Sequence, residues 1–240
     1  SSGFRINRAS DDAAGLAIAN RLRTNVRSLT VASRNVTEAK SMLQIAEGSA
    51  NQIENILERM KELATQAASE NSGKDVDKLD AEFQALIDEI DRIVDDTEYQ
   101  DTALLDGNFS GSFQVGSGGA AADQLAISIS ALGSSGLGLG SSAVDTHANA
   151  IEALGEIDGA INTLAGVLGN IGASMNRLDY TYSNLQVQIE NFSASESVIR
   201  DVDMASEMVN FTKNQILLQA GTAMLAQANM STQVVLSLFG

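Results

Sequence analysis

The chain has no tryptophan, no proline and no cysteine, a single histidine, and only 4% aromatic residues among 240. Each absence excludes something. Without proline, no residue removes a backbone donor or forces a break, so very long helices are permitted. Without cysteine there is neither disulfide support nor thiolate chemistry, and the compartment stays open. What dominates instead is Ala, Leu, Ile, Asn, Gln and Ser, helix-forming stock with little bulky filler. The length allows one or two domains with a substantial core. No secretory signal opens the chain, because Ser1 leads into polar sequence without an apolar segment, and the missing Met suggests a processed start.

Positive charge is also scarce. The net charge is -16, which argues against nucleic acid as a partner, since phosphate binding needs a basic footprint. The few cations cluster early: Arg5, Arg8, Arg21, Arg23, Arg27, Arg34 and Lys40 face only Asp11, Asp12 and Glu38 in the first 40 residues. A basic helical start suits a membrane surface, nucleic acid or an acidic neighbour in an assembly, and the assembly is favoured.

Catalytic groups are sparse. His147, the one histidine, sits near an expected helix start in VDTHANA, where a surface or capping role is the ordinary one. The carboxylates Asp88, Glu89, Asp91, Asp95 and Asp96 read as the solvated face of a helix rather than as an acid–base pair or metal site. No EF-hand spacing, phosphate loop or nucleophile elbow is present. The expectation is a protein that is not an enzyme and uses no cofactor or metal.

Periodicity carries the positive information. Leu43, Ala46, Ala50, Ile53, Leu57, Met60, Ala64 and Ala67 alternate three and four apart, a heptad seam that extends back through Ala39, Val36, Ala32, Leu29, Val26 and Leu22. The helix is expected to start after Ser10 as its cap, with Asp11 and Asp12 near its positive end. It should end near Ser69, spanning roughly 80 Å. Asn71, Ser72 and Gly73 break the pattern, and a second, antiparallel helix follows on Val76, Leu79, Phe83, Leu86, Ile90 and Ile93. The pattern fades over residues 97–108. Phe113 and Val115, then Leu125, Ile127 and Ile129, alternate in period two and read as a small hairpin turning over residues 116–122, with a flexible Gly and Ser stretch at 133–142. A third long helix follows on Ile157, Ile161, Leu164, Leu168, Ile171, Met175, Leu178, Tyr182, Leu185, Ile189 and Phe192, and an amphipathic stretch leads into the tail. The fold class is therefore mainly α, a long antiparallel helical bundle or coiled-coil rod with a small β-hairpin region.

The tail itself is unusual. Residues 214–240 carry no charge, yet Ile216, Leu217, Leu218, Met224, Leu225, Val234, Val235, Leu236, Leu238 and Phe239 crowd between Gln, Asn, Ser and Thr. A membrane span needs about 20 predominantly apolar residues, and the polar ones interrupt any such run. The segment reads as a helix buried on several sides by protein, and nothing after it can supply the cover.

Residues 1–23, SSGFRINRASDDAAGLAIANRLR, closely resemble bacterial flagellin, the subunit of the flagellar filament; residues 196–229 and the terminal VLSLFG resemble the family's C-terminal region. The resemblance implies a structural subunit that polymerises with its own copies, is exported by the flagellar type III system, and lies in an extracellular filament, or a periplasmic one as in spirochetes. It implies a rod domain over residues 1–195, with only residues 105–144 where many relatives insert variable domains, and an inner-layer helix over residues 196–240. About 30 residues precede SSG in the family and supply that helix's partner, so a chain processed to Ser1 is expected to polymerise abnormally. Arg5, Asn7, Asp11 and Asp12 correspond to the polar region joining the two layers, a subunit-interface role that competes with plain helix capping. Arg59, Leu63, Gln66 and Glu82 correspond to the contact surface for Toll-like receptor 5 in detected flagellins, against a plain solvated face. Ile216, Leu217, Leu225, Val235, Leu238 and Phe239 are expected to pack in the filament core or against the flagellin export chaperone. A hook-filament junction protein shares such ends, but the intact DDAAGLAIA favours flagellin; a coiled-coil signalling rod would bring a membrane span.

Overall fold

The computed structural model describes residues 3–70 and 75–239, with side chains described as far as residue 230. The fold is mainly α with a minor β part, as the periodicities require. In chain order the elements are α1 (Ala13–Ala67), α2 (Val76–Asp96), β1 (Glu98–Tyr99), β2 (Thr102–Ala103), β3 (Ser110–Gln114), β4 (Gln124–Ser128), α3 (His147–Arg200) and α4 (Met204–Phe239). The expected break at Asn71, Ser72 and Gly73 lies outside the described residues. Two compact units divide the chain, one made of Ser1–Thr24 with Asn191–Gly240 and the other of Asn25–Glu190.

The unit of Asn25–Glu190 is held by the α1 seam. Every seam position from Leu29 to Ala67 is buried, while Val26 and Leu22 are half-buried. Three polar contacts tie α1 to α3. Gln186 donates to the Ser33 hydroxyl at 2.9 Å, Lys40 pairs with Asp179 at 2.7 Å, and Lys61 pairs with Asp158 at 2.6 Å. Each advance along α1 is matched by an equal retreat along α3, so the two helices run antiparallel in one unbroken register. Arg59 meanwhile reaches Glu82 on α2, at 2.8 Å. Around residues 59–61, then, α1 is flanked by two helices at once.

That flanking widens the buried arc beyond the stripes read from the sequence. On α2 the buried residues are Phe83, Ile87, Ile90 and Val94, so Leu86 and Ile93 give way to their neighbours and are only half-buried. On α3, Ala160 and Val167 are buried where Ile161 and Leu168 were expected. Tyr182 is exposed rather than seated in the seam. Small side chains let the helix axes come close, and a reading that weights large aliphatics misses them.

The middle of the chain is more ordered than its composition suggests. β1 and β2 form a tight antiparallel hairpin, Tyr99 opposite Thr102, whose two turn residues Gln100 and Asp101 both adopt positive φ, 51° and 60°. That is the geometry that matches strand twist in a two-residue loop, and it falls where the pattern seemed to fade. β3 and β4 pair from Ser110 opposite Ser128 to Gln114 opposite Gln124. Asn35 on α1 donates to the Gln114 carbonyl at 3.1 Å, fastening this hairpin to the helices. Gly107, at φ 82°, sits so close to Ala131 that a Cβ would approach its backbone nitrogen to 2.9 Å.

The stretch at 133–142, expected to be flexible, is packed instead. Leu132, Leu137, Leu139 and Val144 are buried. Asp91 accepts from both the backbone N–H and the hydroxyl of Ser134, at 2.7 Å each; Asp80 accepts from the Val144 N–H at 2.8 Å; and Gln84 donates to the Ser142 carbonyl at 2.9 Å. The Ser142 hydroxyl donates to Glu156. So Asp91 is a staple for the loop, not merely part of a solvated face.

Candidate functional site

The unit of Ser1–Thr24 with Asn191–Gly240 brings the two ends of the chain together. Ser10 does not cap α1. Asp12 does, accepting from the Gly15 N–H at 2.9 Å, because it stands immediately before the first helical residue, where its carboxylate reaches a free N–H of the first turn. Asp11 closes the preceding turn, accepting from the backbone N–H groups of Arg8 at 2.8 Å and Asn7 at 3.1 Å. Those donors, Arg8's first and Asn7's second, hold its carboxyl below the usual carboxylate range. Ile6 folds back over the helix start and is buried; a Cβ on Gly15 would come within 2.8 Å of its Cδ1.

Beside this turn, α3 ends and α4 begins. The Arg5 N–H donates to the Arg200 carbonyl at 2.7 Å, and the Arg5 guanidinium donates to the Ile199 carbonyl at 2.6 Å. The Val202 N–H donates to the Gly3 carbonyl at 3.1 Å, and Phe4 faces Asp201 in an isolated antiparallel bridge. The Arg200 guanidinium lies 4.2 Å from the centre of the Phe4 ring, a cation–π stack. Asp203 then caps α4, accepting from the N–H groups of Ala205 and Ser206 at 2.9 and 3.4 Å and from the Ser206 hydroxyl at 3.0 Å. The Ser206 hydroxyl foremost, then the two backbone donors, depresses the Asp203 pKa.

Of the four junction residues expected from sequence, Arg5 alone crosses to the other end of the chain. Asn7 takes part through its backbone, and Asp11 and Asp12 act locally. The partners Gly3, Phe4, Arg200 and Asp203 were not foreseen. Only Asp203, an acidic residue just ahead of MASEM, carried a visible helix-start signal.

The second expected set is split by the fold. Arg59 is exposed and held by Glu82 and by Glu62, at 2.8 Å each. Gln66 and Glu82 are also exposed. Leu63 turns inward and is only 1% accessible, because α1 is flanked on two sides here and its buried arc takes in positions 63 and 64 together.

Along α4 the side chains of residues 203–230 are all exposed. Ile216, Leu217 and Leu225 stand at 59%, 58% and 66% accessibility. Val235, Leu238 and Phe239 belong to the helix, but their side chains lie outside the described residues. Among the described residues no helix is long and apolar enough to cross a membrane.

The model of the bacterial flagellin N-terminal helical region matches residues 1–110, and that of the C-terminal helical region matches residues 154–239. The chain is similar to a flagellin of Halalkalibacterium halodurans, 43% identical over 99% of this chain and 88% of the relative. A flagellin of Bacillus subtilis is 39% identical over 99% and 90%. The flagellar filament 33 kDa core protein of Treponema phagedenis is 41% identical over 99% and 89%. Among solved structures, the Bacillus cereus flagellin superposes with a TM-score of 0.56 at 30% identity, covering 68% of this chain and 94% of that one. With both end regions matched and near full-length relatives at this identity, the chain belongs to the bacterial flagellin family, as a structural subunit of the flagellar filament and not an enzyme.

Proposed function

We propose that α4 is the element this subunit commits to the filament's inner layer, with the unit of Asn25–Glu190 as the outer bundle. The exposure of Ile216, Leu217, Leu218 and Leu225 on the uncharged stretch of α4 that begins at residue 214 carries this reading. Burying such side chains is worth about 1.5–3 kcal/mol each, and the drive stays unused until neighbouring copies cover them. Residues Arg5, Asn7, Asp11 and Asp12 set the path of the chain where the layers meet. The test is deletion of residues 214–240 from a parent that forms filaments. The bundle should keep its thermal transition while electron microscopy shows no filaments; ordinary filaments would overturn the reading.

The same helix suits an export chaperone before assembly, through Ile216, Leu217, Leu225, Val235, Leu238 and Phe239, since an uncharged aliphatic surface needs shielding in solution. Equal chaperone affinity by calorimetry for the full and shortened chains would exclude it. The surface of Arg59, Gln66 and Glu82 is our candidate for Toll-like receptor 5, with Leu63 supporting it from beneath. Arg59→Asp should abolish receptor signalling, and undiminished signalling would remove the assignment. Export by the flagellar type III route places the filament outside the cell, or in a periplasm as its spirochete likeness suggests.

A further inference from the structure

The α3–α4 break has one local signal, the Asp203 cap of α4, and no residue that by itself forces a helix to stop. The sequence from Ala173 to Ala220 contains neither proline nor glycine, and Ile199, Arg200, Val202 and Met204 are all compatible with an uninterrupted helix. The hydrogen bonds show where the interruption comes from. In a continuous helix the N–H of each residue donates to the carbonyl four residues back. Val202 would donate to Val198, Asp203 to Ile199, and Met204 to Arg200. Instead, the Val202 N–H is taken by the Gly3 carbonyl, the Ile199 carbonyl by the Arg5 guanidinium, and the Arg200 carbonyl by the Arg5 N–H. The ladder is intact on either side, with Asp201 N–H on Ser197 at 2.8 Å and Glu207 N–H on Asp203 at 3.0 Å.

We infer that the break is conditional, a helix stop imposed by residues 3–5 on residues 198–204, and that releasing this clip lets α3 and α4 fuse into one helix. Gly3 and Arg5 occupy one donor and two acceptors that helix propagation across residues 202–204 would use. The Phe4 ring under Arg200 holds the strip in place, and Asp203 supplies a ready cap only once the helix has stopped. When the strip leaves, the N–H groups of residues 202–206 can complete the ladder, those of Ala205 and Ser206 exchanging the Asp203 cap for helical carbonyls, with a helix already nucleated on both sides. The chain end thus selects between a jointed and a continuous form of the segment that follows α3. This goes beyond a role in filament packing and concerns the unassembled chain, so it stands or falls separately from the inner-layer reading.

The chain lacks cysteine, so cysteines introduced at Ser193 and Lys213 can carry spin labels without interference. Arg5→Pro removes the N–H and the guanidinium together while keeping the extended backbone on which Phe4 relies. In that variant the label separation should move from its wild-type value to about 30 Å with a narrow distribution, the span of twenty residues of continuous helix. Amide exchange at Asp203 should slow about tenfold or more as its N–H joins the ladder. Adding Val202→Pro, which cannot sit inside a helix, should restore the wild-type separation. An unchanged separation in Arg5→Pro would overturn the inference. So would a broad distribution with fast exchange at residues 198–204, which would mean that the strip only protects a fraying end.

Discussion

α1 over residues 29–67 and α4 over residues 204–230 are both long helices rich in aliphatic side chains, yet one is packed along its whole length and the other is bare. The difference lies in the angular spread of the aliphatics. On α1 most of them return every three or four residues to one arc, and Arg34, Glu38, Lys40, Glu54 and Glu58 share the rest with the exposed Val31 and Ile45. On α4, Ile216, Leu217 and Leu218 are consecutive, so at 3.6 residues per turn they point in three directions, all exposed. A stripe can be satisfied by helices of the same chain. Aliphatics pointing all round need neighbours on several sides, which suits a subunit whose partners are other copies.

The contrast can be tested by perturbing each side in turn. Phe83 is the one aromatic among the largest fully buried side chains, and Phe83→Ala should cost about 3–5 kcal/mol in urea unfolding of the bundle. A loss below about 1 kcal/mol would mean that the core is not where its stability resides. Asp91→Ala removes two bonds to Ser134 at a half-buried site, and should cost about 1–2 kcal/mol while raising amide exchange across residues 133–142. Acidification should act on the other unit. Asp203 and Asp11 have depressed pKa values, so the stability they lend is complete above the ordinary carboxylate value. It is lost as pH falls through their lower folded values. Amide exchange at Ala205 and Ser206 should therefore quicken below about pH 4, while the α1 seam around Ile53 stays protected. The smallest effect on the isolated subunit belongs to Ile216→Ser with Leu225→Ser, within about 0.5 kcal/mol of the parent. Placed in a parent that forms filaments, the same double variant should fail to assemble, and normal assembly would erase the contrast between the helices.

Much of this architecture was legible because helix seams are local patterns. The α1 stripe from Leu29 to Ala67 could be read position by position, and the β3–β4 hairpin followed from alternation. What escaped depended on groups distant in the chain. The β1–β2 turn uses Gln100 and Asp101 rather than an Asn-Gly pair, so no turn signal marked it. The 133–142 stretch looked pliant because its order comes from Asp91, Asp80 and Glu156 on helices, not from its own composition. The end of α3 was invisible for the same reason, since its stop is provided by residues nearly two hundred positions earlier. At the candidate site Arg5 and Asp12 stood out as polar residues beside a helix start. Arg200 and Phe4 did not, because their pairing exists only after both ends of the chain meet.

The three contacts between α1 and α3 have a further consequence. Exposed ion pairs such as Lys40 with Asp179 and Lys61 with Asp158 lend little energy, typically under about 1 kcal/mol each. Their value is as a vernier. Apolar seams repeating every seven residues tolerate a slide of one heptad nearly as well as the native alignment. A slide in one direction would set Lys61 against Ala165 and Lys40 against Gln186; in the other, against Ile151 and Gly172. Neither offers a charge partner. The seams decide that the helices pack, and a few weak polar contacts decide at which notch, so every copy entering a polymer has the same length and presents its surfaces at the same heights.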